Sequence, residues 1–144
     1  MPRPRLNICR PNAAFMTHFG VALLLALVAS PALVAQEKEP FSHDRFTALQ
    51  AQDAVILIDV FADWCPTCAQ QQRVLAAFQE AHPEVPLHIL TVDFDTRKDL
   101  VTHFEAPRQS TLILYRGEER VWFSVAETRQ AQIFEQLLGA LERR

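Results

Sequence analysis

The chain reads AVILIDVFADWCPTC from residue 54 to residue 68, and this stretch decides the expected fold. Its first half, Ala54–Phe61, is an apolar run with one acid inside it, which is typical of a central strand covered on both faces. Pro66 fits the first turn of a helix that follows the strand. Cys65 and Cys68 therefore lie where a buried strand passes into a helix.

The sequence on either side of this stretch alternates between helical and extended patterns. Ser42 can cap a first helix, with Phe41 and Phe46 at the positions of a hydrophobic staple. Two late strands across a tight turn at Gly117 predict an antiparallel hairpin. The predicted order is helix, strand, helix, strand, helix, strand, strand, helix, over residues 42–53, 54–61, 66–81, 87–94, 97–104, 111–115, 120–125 and 133–141. The inward stripe of the second helix is predicted to be Val74, Leu75, Phe78 and Ala81.

This order predicts an α/β fold with a mixed sheet between two layers of helices. We expect a three-layer α/β/α sandwich with a mainly four-stranded sheet that ends in an antiparallel hairpin plus a helix. No repeat, low-complexity run or internal linker interrupts the pattern, so residues 36–144 are expected to form one domain.

Residues 1–35 have the composition of an export signal. Three arginines and no acid come first, and an uncharged run, GVALLLALVASPALVA, follows at residues 20–35. The expected cut is after Ala35, with Ala32 as the second choice, and a retained membrane anchor at residues 20–35 is the alternative. We therefore expect a periplasmic or otherwise extracytoplasmic protein, in which Cys9 has no functional part.

Composition excludes several classes of protein. The chain has 144 residues, a net charge of -3 and only three Cys and three Gly. Three Cys are too few for a disulfide-stapled scaffold or a four-thiolate zinc site, and three Gly cannot build a Gly-rich phosphate loop. Residues 36–144 carry 11 Lys+Arg against 17 Asp+Glu, so nucleic-acid binding is not expected.

The pair Cys65-Pro66-Thr67-Cys68 carries the strongest chemical signal. The N-terminus of a helix lowers the pKa of a thiol beside it, so Cys65 is predicted to be the attacking nucleophile. Cys68 lies one helical turn further on, where it can resolve a mixed disulfide, while Pro66 and Thr67 tune the redox balance. A structural disulfide and a zinc site are the alternatives. The histidines that could complete a zinc site lack the usual spacing; they are His43, His82, His88 and His103.

Three stretches resemble the thioredoxin superfamily in register, namely residues 58–68, 92–95 and 111–118. The resemblance implies a thioredoxin-like fold and a thiol–disulfide oxidoreductase that forms a reversible Cys65–Cys68 disulfide, with no bound cofactor or metal. By the same resemblance Asp59 is the buried acid that accepts and donates the proton of the resolving thiol. Trp64 matches the Trp before the first Cys, which shields the thiols and offers a flat contact; a core aromatic is the alternative.

The chain departs from the family pattern at two positions. Ser110 stands where the family carries a cis-Pro, so we expect the loop to be trans or strained there. In the family this loop pairs with extended substrate, which makes Gln109, Ser110 and Thr111 the predicted substrate-binding residues. Thr91 replaces the family's Lys near the strand acid, so Asp59 is expected to lack one charge partner.

Two functions remain open from the sequence. The leading hypothesis is an extracytoplasmic monomer that exchanges disulfides with protein thiols, with the reductase role favoured, and that is recycled by a membrane or periplasmic thiol electron donor. Relatives that prepare apocytochrome cysteines for haem attachment usually carry an insertion that is absent between Ala81 and Leu87. The alternative is a binding module that holds a metal, an iron–sulfur centre or a partner protein in space opened by Ser110.

Overall fold

The structure is a computed structural model that describes residues 38–143, so the predicted signal at residues 1–35 lies outside the described residues. The strands of this part of the chain are β1 (Lys38–Pro40), β2 (Val55–Phe61), β3 (Leu87–Asp93), β4 (Thr111–Arg116) and β5 (Glu119–Val125). Its helices are α1 (His43–Ala51), α2 (Pro66–Ala81), α3 (Lys98–His103) and α4 (Gln130–Glu142). The predicted order is confirmed, with β1 as an additional strand. None of these helices is long and apolar enough to cross a membrane.

The strands form one mixed sheet in the order β1-β3-β2-β4-β5. β3 runs parallel to both β1 and β2, whereas β4 is antiparallel to β2 and to β5. The first six residues of β2 are buried, as expected for a strand with neighbours on both sides and helices on both faces. The mixed α/β sandwich is confirmed, and β1 adds a fifth strand at one edge.

Alternating side chains of β2 pack into two apolar clusters, one on each face of the sheet. Val55 and Leu57 pack with residues of α2 and α4, and Ile56 and Ile58 pack with residues of α1 and α3. Full burial of each of these side chains contributes about 1.5–3 kcal/mol. Because the alternation has a period of two, Asp59 lies on the face that α2 covers.

The helix starts follow the sequence signals. The Ser42 Oγ accepts a hydrogen bond from the Arg45 N–H at 3.2 Å, and the Phe41 and Phe46 ring centroids are 5.5 Å apart. α2 has Pro66 as its first residue and ends at Ala81, as predicted. The prediction that Ala81 belongs to the inward stripe is wrong, because Ala81 is exposed in the last turn of α2.

Candidate active site

Cys65 is the N-cap residue of α2, at the junction that the sequence predicted. The turn after β2 is closed by a hydrogen bond from the Cys65 N–H to the Ala62 carbonyl at 3.1 Å. The Cys65 Sγ accepts a hydrogen bond from the Cys68 N–H at 3.3 Å, so the sulfur satisfies one of the free donors of the first helical turn. Both cysteines are buried free thiols, so the structure describes the dithiol form and the Cys65–Cys68 disulfide remains a prediction.

The two thiols ionise differently. Burial raises the pKa of Cys65, but hydrogen bonds from Cys68, from Ser110 and from the N–H groups of Cys68 and Thr67 outweigh it and lower the pKa to about 7. Burial raises the pKa of Cys68, and the hydrogen bond and charge of Cys65 raise it further. Half of Cys65 is thiolate near neutral pH while Cys68 keeps its proton, which is the state that a nucleophile and a resolving thiol require.

Ser110 lies directly against both sulfurs. Its Oγ is 3.1 Å from the Cys65 Sγ and 3.1 Å from the Cys68 Sγ, and the residue is fully buried. Residues 38–143 contain no cis peptide bond, and Ser110 has a φ of 63°, so the loop is both trans and strained. Within the described segment, no group of three His, Cys, Asp or Glu side chains could hold a metal ion.

Gln71 connects Ser110 to the segment between β5 and α4. Its Nε2 donates to the Ser110 carbonyl at 3.1 Å and to the Glu127 carbonyl at 2.9 Å, and we call these two bonds the Gln71 bridge. The Ser110 carbonyl also accepts a hydrogen bond from the Ala126 N–H at 2.8 Å. Three elements of the site, α2, β4 and the segment after β5, are therefore held to one another by buried polar groups.

Asp59 is fully buried on β2. Burial raises the pKa of Asp59, partly offset by the Gln72 Nε2, which donates to Oδ2 at 2.6 Å, and by the charge of Lys38. The Lys38 Nζ lies 4.0 Å from the same oxygen. Thr91 pairs with Asp59 in the β2–β3 register and brings no charge, whereas β1 supplies a different charge partner, Lys38, from the edge of the sheet.

Trp64 is exposed over 63% of its surface, so the alternative of a core aromatic is wrong. Its Nε1 donates a hydrogen bond to the Asp95 Oδ2 at 2.7 Å, which fixes the indole beside the site with its ring available for contact. Pro66 is exposed and Thr67 is half-buried, so both lie between the two cysteines at the protein surface. Their tuning role remains a prediction.

The loop predicted to bind substrate contains three residues with different surroundings. Gln109 is half-buried, while Ser110 and Thr111 are buried. The Thr111 Oγ1 donates a hydrogen bond to the Arg108 carbonyl at 2.6 Å, so this side chain closes the loop rather than facing outward. Substrate binding by Gln109, Ser110 and Thr111 remains a prediction.

Four residues of the site were not predicted from the sequence, namely Lys38, Gln71, Gln72 and Asp95. A signal for Gln71 was present, because the inward stripe of α2 has helical spacing through Cys68, Gln71, Leu75 and Phe78, all buried. Gln72 lies one helical turn after Cys68, and its side chain reaches Asp59. β1 is a three-residue edge strand, which no periodicity could indicate.

Comparison with known proteins gives one consistent result. The family model described as Thioredoxin matches residues 37–139. Thioredoxin-2 of Saccharomyces cerevisiae is 29% identical over 89 residues, which are 62% of this chain and 82% of the yeast protein. Thioredoxin of Chlamydia trachomatis is 35% identical over 71 residues, which are 49% of this chain and 68% of that protein.

Solved structures agree with the sequence comparison. The crystal structure of Trxlp from Edwardsiella tarda is 40% identical, covers 70% of this chain and 98% of that one, and has a TM-score of 0.66. A mutant thioredoxin from Halobacterium salinarum is 18% identical, covers 76% of this chain and 96% of its own, and has a TM-score of 0.64, a likeness of fold.

Proposed function

The chain belongs to the thioredoxin family, and from this premise we propose that it reduces protein disulfides outside the cytoplasm. Its general activity, thiol–disulfide exchange with protein substrates, follows from the family and from the Cys pair. The direction of that exchange, its compartment and its electron donor are the proposal. In the proposed arrangement residues 1–35 are an export signal, and residues 36–144 act as a monomeric domain recycled by a membrane or periplasmic thiol donor.

The observation that carries the reductase role is the modest stabilisation of the Cys65 thiolate. In strongly oxidising pairs the nucleophilic thiol has a pKa of about 3.5, because the reduced form is strongly stabilised. The pKa of Cys65 is lowered only to about 7, although burial opposes the hydrogen bonds that lower it. A dithiol that is stabilised so little gives up its electrons readily, which favours a reductant.

The exchange follows from the geometry of the pair. The Cys65 thiolate attacks one sulfur of a substrate disulfide, and the other substrate sulfur leaves and takes a proton. Cys68, held 3.3 Å away through its N–H, then attacks the Cys65 sulfur, closes the Cys65–Cys68 disulfide and releases the second substrate thiol. We propose that Asp59 takes the proton of Cys68 in this second step, since burial raises the pKa of this carboxyl and makes its carboxylate a better proton acceptor.

The equilibrium constant of the pair with glutathione tests the direction. A reductase role requires a potential below about -200 mV, whereas a higher value would assign the protein an oxidant or isomerase role. Insulin reduction with dithiothreitol tests turnover. Cys65→Ser should abolish it, and Cys68→Ser should accumulate mixed disulfides with protein substrates.

A reporter fusion tests the compartment. Residues 1–40 joined to a phosphatase that needs disulfides for activity should give an active reporter only if they direct export. Leu24→Arg, which places a charge within the apolar run, should abolish reporter activity. Mass measurement of the exported product should give a chain that begins at residue 36. An equally active Leu24→Arg fusion would overturn the export proposal.

A further inference from the structure

The position of the Ser110 hydroxyl has a chemical consequence for the two thiols. Its Oγ is 3.1 Å from each sulfur, and the residue has no exposed surface. A hydroxyl has one proton to donate and lone pairs with which to accept. It can therefore donate to one sulfur while it accepts from the other, but it cannot donate to both. Whichever sulfur receives that proton is the one whose negative charge is stabilised.

The remaining contacts decide between the sulfurs. The Cys65 Sγ is at the N-terminus of α2 and accepts the Cys68 N–H at 3.3 Å, so it is already placed to carry charge. Apolar side chains packed with the two cysteines are those of Ala62, Phe61 and Phe94. The nearby acid on β2, Asp59, is hydrogen-bonded to Gln72. The hydroxyl of Ser110 is a polar group in direct contact with both sulfurs.

We propose that Ser110 is a catalytic residue that directs ionisation to Cys65 by donating its hydroxyl proton to the Cys65 thiolate. A proline at this position has neither a side-chain donor nor an N–H and could not do this. The inference rests on the thiol–disulfide exchange of the proposed function, and it is independent of the direction and the compartment of that exchange.

The backbone holds the hydroxyl in this place at a cost in strain. Ser110 has a φ of 63°, and Ala126, which donates to the Ser110 carbonyl at 2.8 Å, has a φ of 57°. The Gln71 bridge adds a second donor to the same carbonyl at 3.1 Å. Left-handed conformations of non-Gly residues persist where surrounding contacts over-determine them, and they concentrate at functional sites.

The same hydroxyl serves both steps of the exchange. When Cys65 attacks, its charge passes to the substrate sulfur that leaves, and the hydroxyl no longer faces a thiolate. It can then turn to donate to Cys68 as that thiol loses its proton to Asp59 or water. The Cys65–Cys68 bond forms as the mixed disulfide breaks. In balance, one disulfide bond of the substrate is reduced by two electrons, the pair is oxidised, and the two substrate thiols receive the proton of Cys68 and one from water.

Two substitutions separate the hydroxyl from the backbone strain. Ser110→Gly removes the hydroxyl and relieves a left-handed conformation, whereas Ser110→Ala removes the hydroxyl and keeps the strain. The pH dependence of iodoacetamide alkylation of the full chain reports the ionisation of Cys65, with an expected midpoint of about 7. Loss of a hydrogen bond to a charged sulfur should raise this midpoint by about 1–2 pH units in both variants, and should lower the thiolate fraction at pH 7 at least about fivefold.

A second readout distinguishes a hydrogen bond to a thiolate from a purely structural effect. Losing the bond destabilises the ionised dithiol, so the variant pair should be oxidised more readily by glutathione. For a shift of one pH unit the equilibrium constant should change about twofold at pH 7 and about ninefold at pH 9. A structural change in the loop would shift this constant by the same factor at both pH values.

The matched control is Ser124→Ala, which deletes a half-buried hydroxyl on the neighbouring strand β5 and should leave the alkylation midpoint near 7. An unchanged midpoint in folded Ser110→Gly would overturn the proposal, and so would a shift in Ser110→Ala alone. Alkylation needs no protein substrate, so it tests Ser110 separately from the reductase role. If the unsubstituted protein failed to reduce insulin, the reductase proposal would be contradicted. A raised midpoint in the Ser110 variants would still support the assignment of Ser110.

Discussion

Three titratable side chains of the active site differ in ionisation because their surroundings differ. Hydrogen bonds outweigh burial at Cys65 and lower its pKa to about 7, whereas burial raises the pKa of Cys68 and that of Asp59. Groups whose environments push their pKa values in opposite directions take opposite roles in proton and sulfur chemistry. A Cys65 thiolate, a protonated Cys68 thiol and a buried carboxyl with a raised pKa are thus in place before substrate arrives.

Replacing the buried acid should stabilise the protein. The folded chain holds the proton of Asp59 to a higher pH than the unfolded chain does, so the free energy of unfolding falls as pH rises above the unfolded value of 3.8. The fall is at most about 1.4 kcal/mol per pH unit between the two pKa values. Asp59→Asn removes this pH dependence. The free energy of unfolding of the variant, measured in urea, should therefore exceed that of the unsubstituted protein by an amount that grows between pH 4 and pH 8. Asp63→Asn, at an exposed acid beside the site, should show no such growth. A constant difference for Asp59→Asn would contradict this account.

The exposed indole of Trp64 should matter for binding rather than for stability. Trp64→Ala removes a ring exposed over 63% of its surface and one exposed hydrogen bond to Asp95, so the free energy of unfolding should fall by less than about 1.5 kcal/mol. The KM for a protein disulfide should rise severalfold, while reduction of a small aromatic disulfide should change little. Phe123→Ala, at another exposed large apolar residue, should leave both unchanged. Equal losses on both substrates would show that Trp64 acts on the thiols instead.

At the scale of elements, α2 organises the site through one face. Cys68, Gln71 and Leu75 follow each other at helical spacing, so the resolving thiol, the Gln71 bridge and the apolar core lie on the same stripe. Gln72, one residue further round, reaches Asp59 on β2. A single helix therefore sets the distances among the thiols, the Ser110 loop and the buried acid.

Reversing the polarity of the Gln71 bridge should destabilise this arrangement. Gln71→Glu places a carboxylate oxygen against the Ser110 and Glu127 carbonyls, where an amide donor was bonded at 3.1 and 2.9 Å. The loss of free energy of unfolding at pH 7 should be about 3 kcal/mol, because a buried charge without a donor is left opposite two acceptors. It should shrink toward pH 4, since burial raises the pKa of such a carboxyl and its protonated form can donate. Gln70→Glu, one residue away and bonded to Arg73 at the surface, should cost less than about 0.5 kcal/mol. A loss independent of pH would contradict the role of the bridge as a donor.

The elements with strong local signals could be predicted from the sequence, and those that depend on tertiary contacts could not. Local residue patterns indicate the strand β2, the start of α2 at Pro66 and the turn at Gly117, and all three are confirmed. β1 exists only because β3 offers an edge with which three residues can pair, which a sequence window cannot reveal. Lys38 was missed as the partner of Asp59 for the same reason. The strain at Ser110 could be expected from the replaced proline, but the contact of its hydroxyl with both sulfurs needed coordinates.

At the scale of the whole molecule, both sides of the central sheet are covered from within residues 38–143. One cluster joins β2 to α2 and α4, and the other joins β2 to α1 and α3. The active site lies at the end of β2, where the two parallel strands β2 and β3 present their carboxyl ends. The cysteines thus depend on the sheet for their position.

Residues 36–144 should therefore fold and act as an independent domain. Because both apolar clusters and all the strands that pair with β2 lie within them, the shortened chain should match the full chain in urea midpoint and in insulin reduction at equal concentration. A chain that begins at Phe41 lacks β1 and the Lys38 ammonium, which lies 4.0 Å from Asp59. It should be less stable than residues 36–144. The pH optimum for the resolution of its mixed disulfides should also differ. The cause is that loss of Lys38 removes one of the two contacts that lower the pKa of Asp59 against burial, which moves that pKa further up. Lys38→Met in residues 36–144 keeps the strand and removes the charge, so it should reproduce the shifted optimum with a smaller loss of stability. If residues 36–144 failed to fold while the full chain was stable, the first 35 residues would have to contribute to the domain itself.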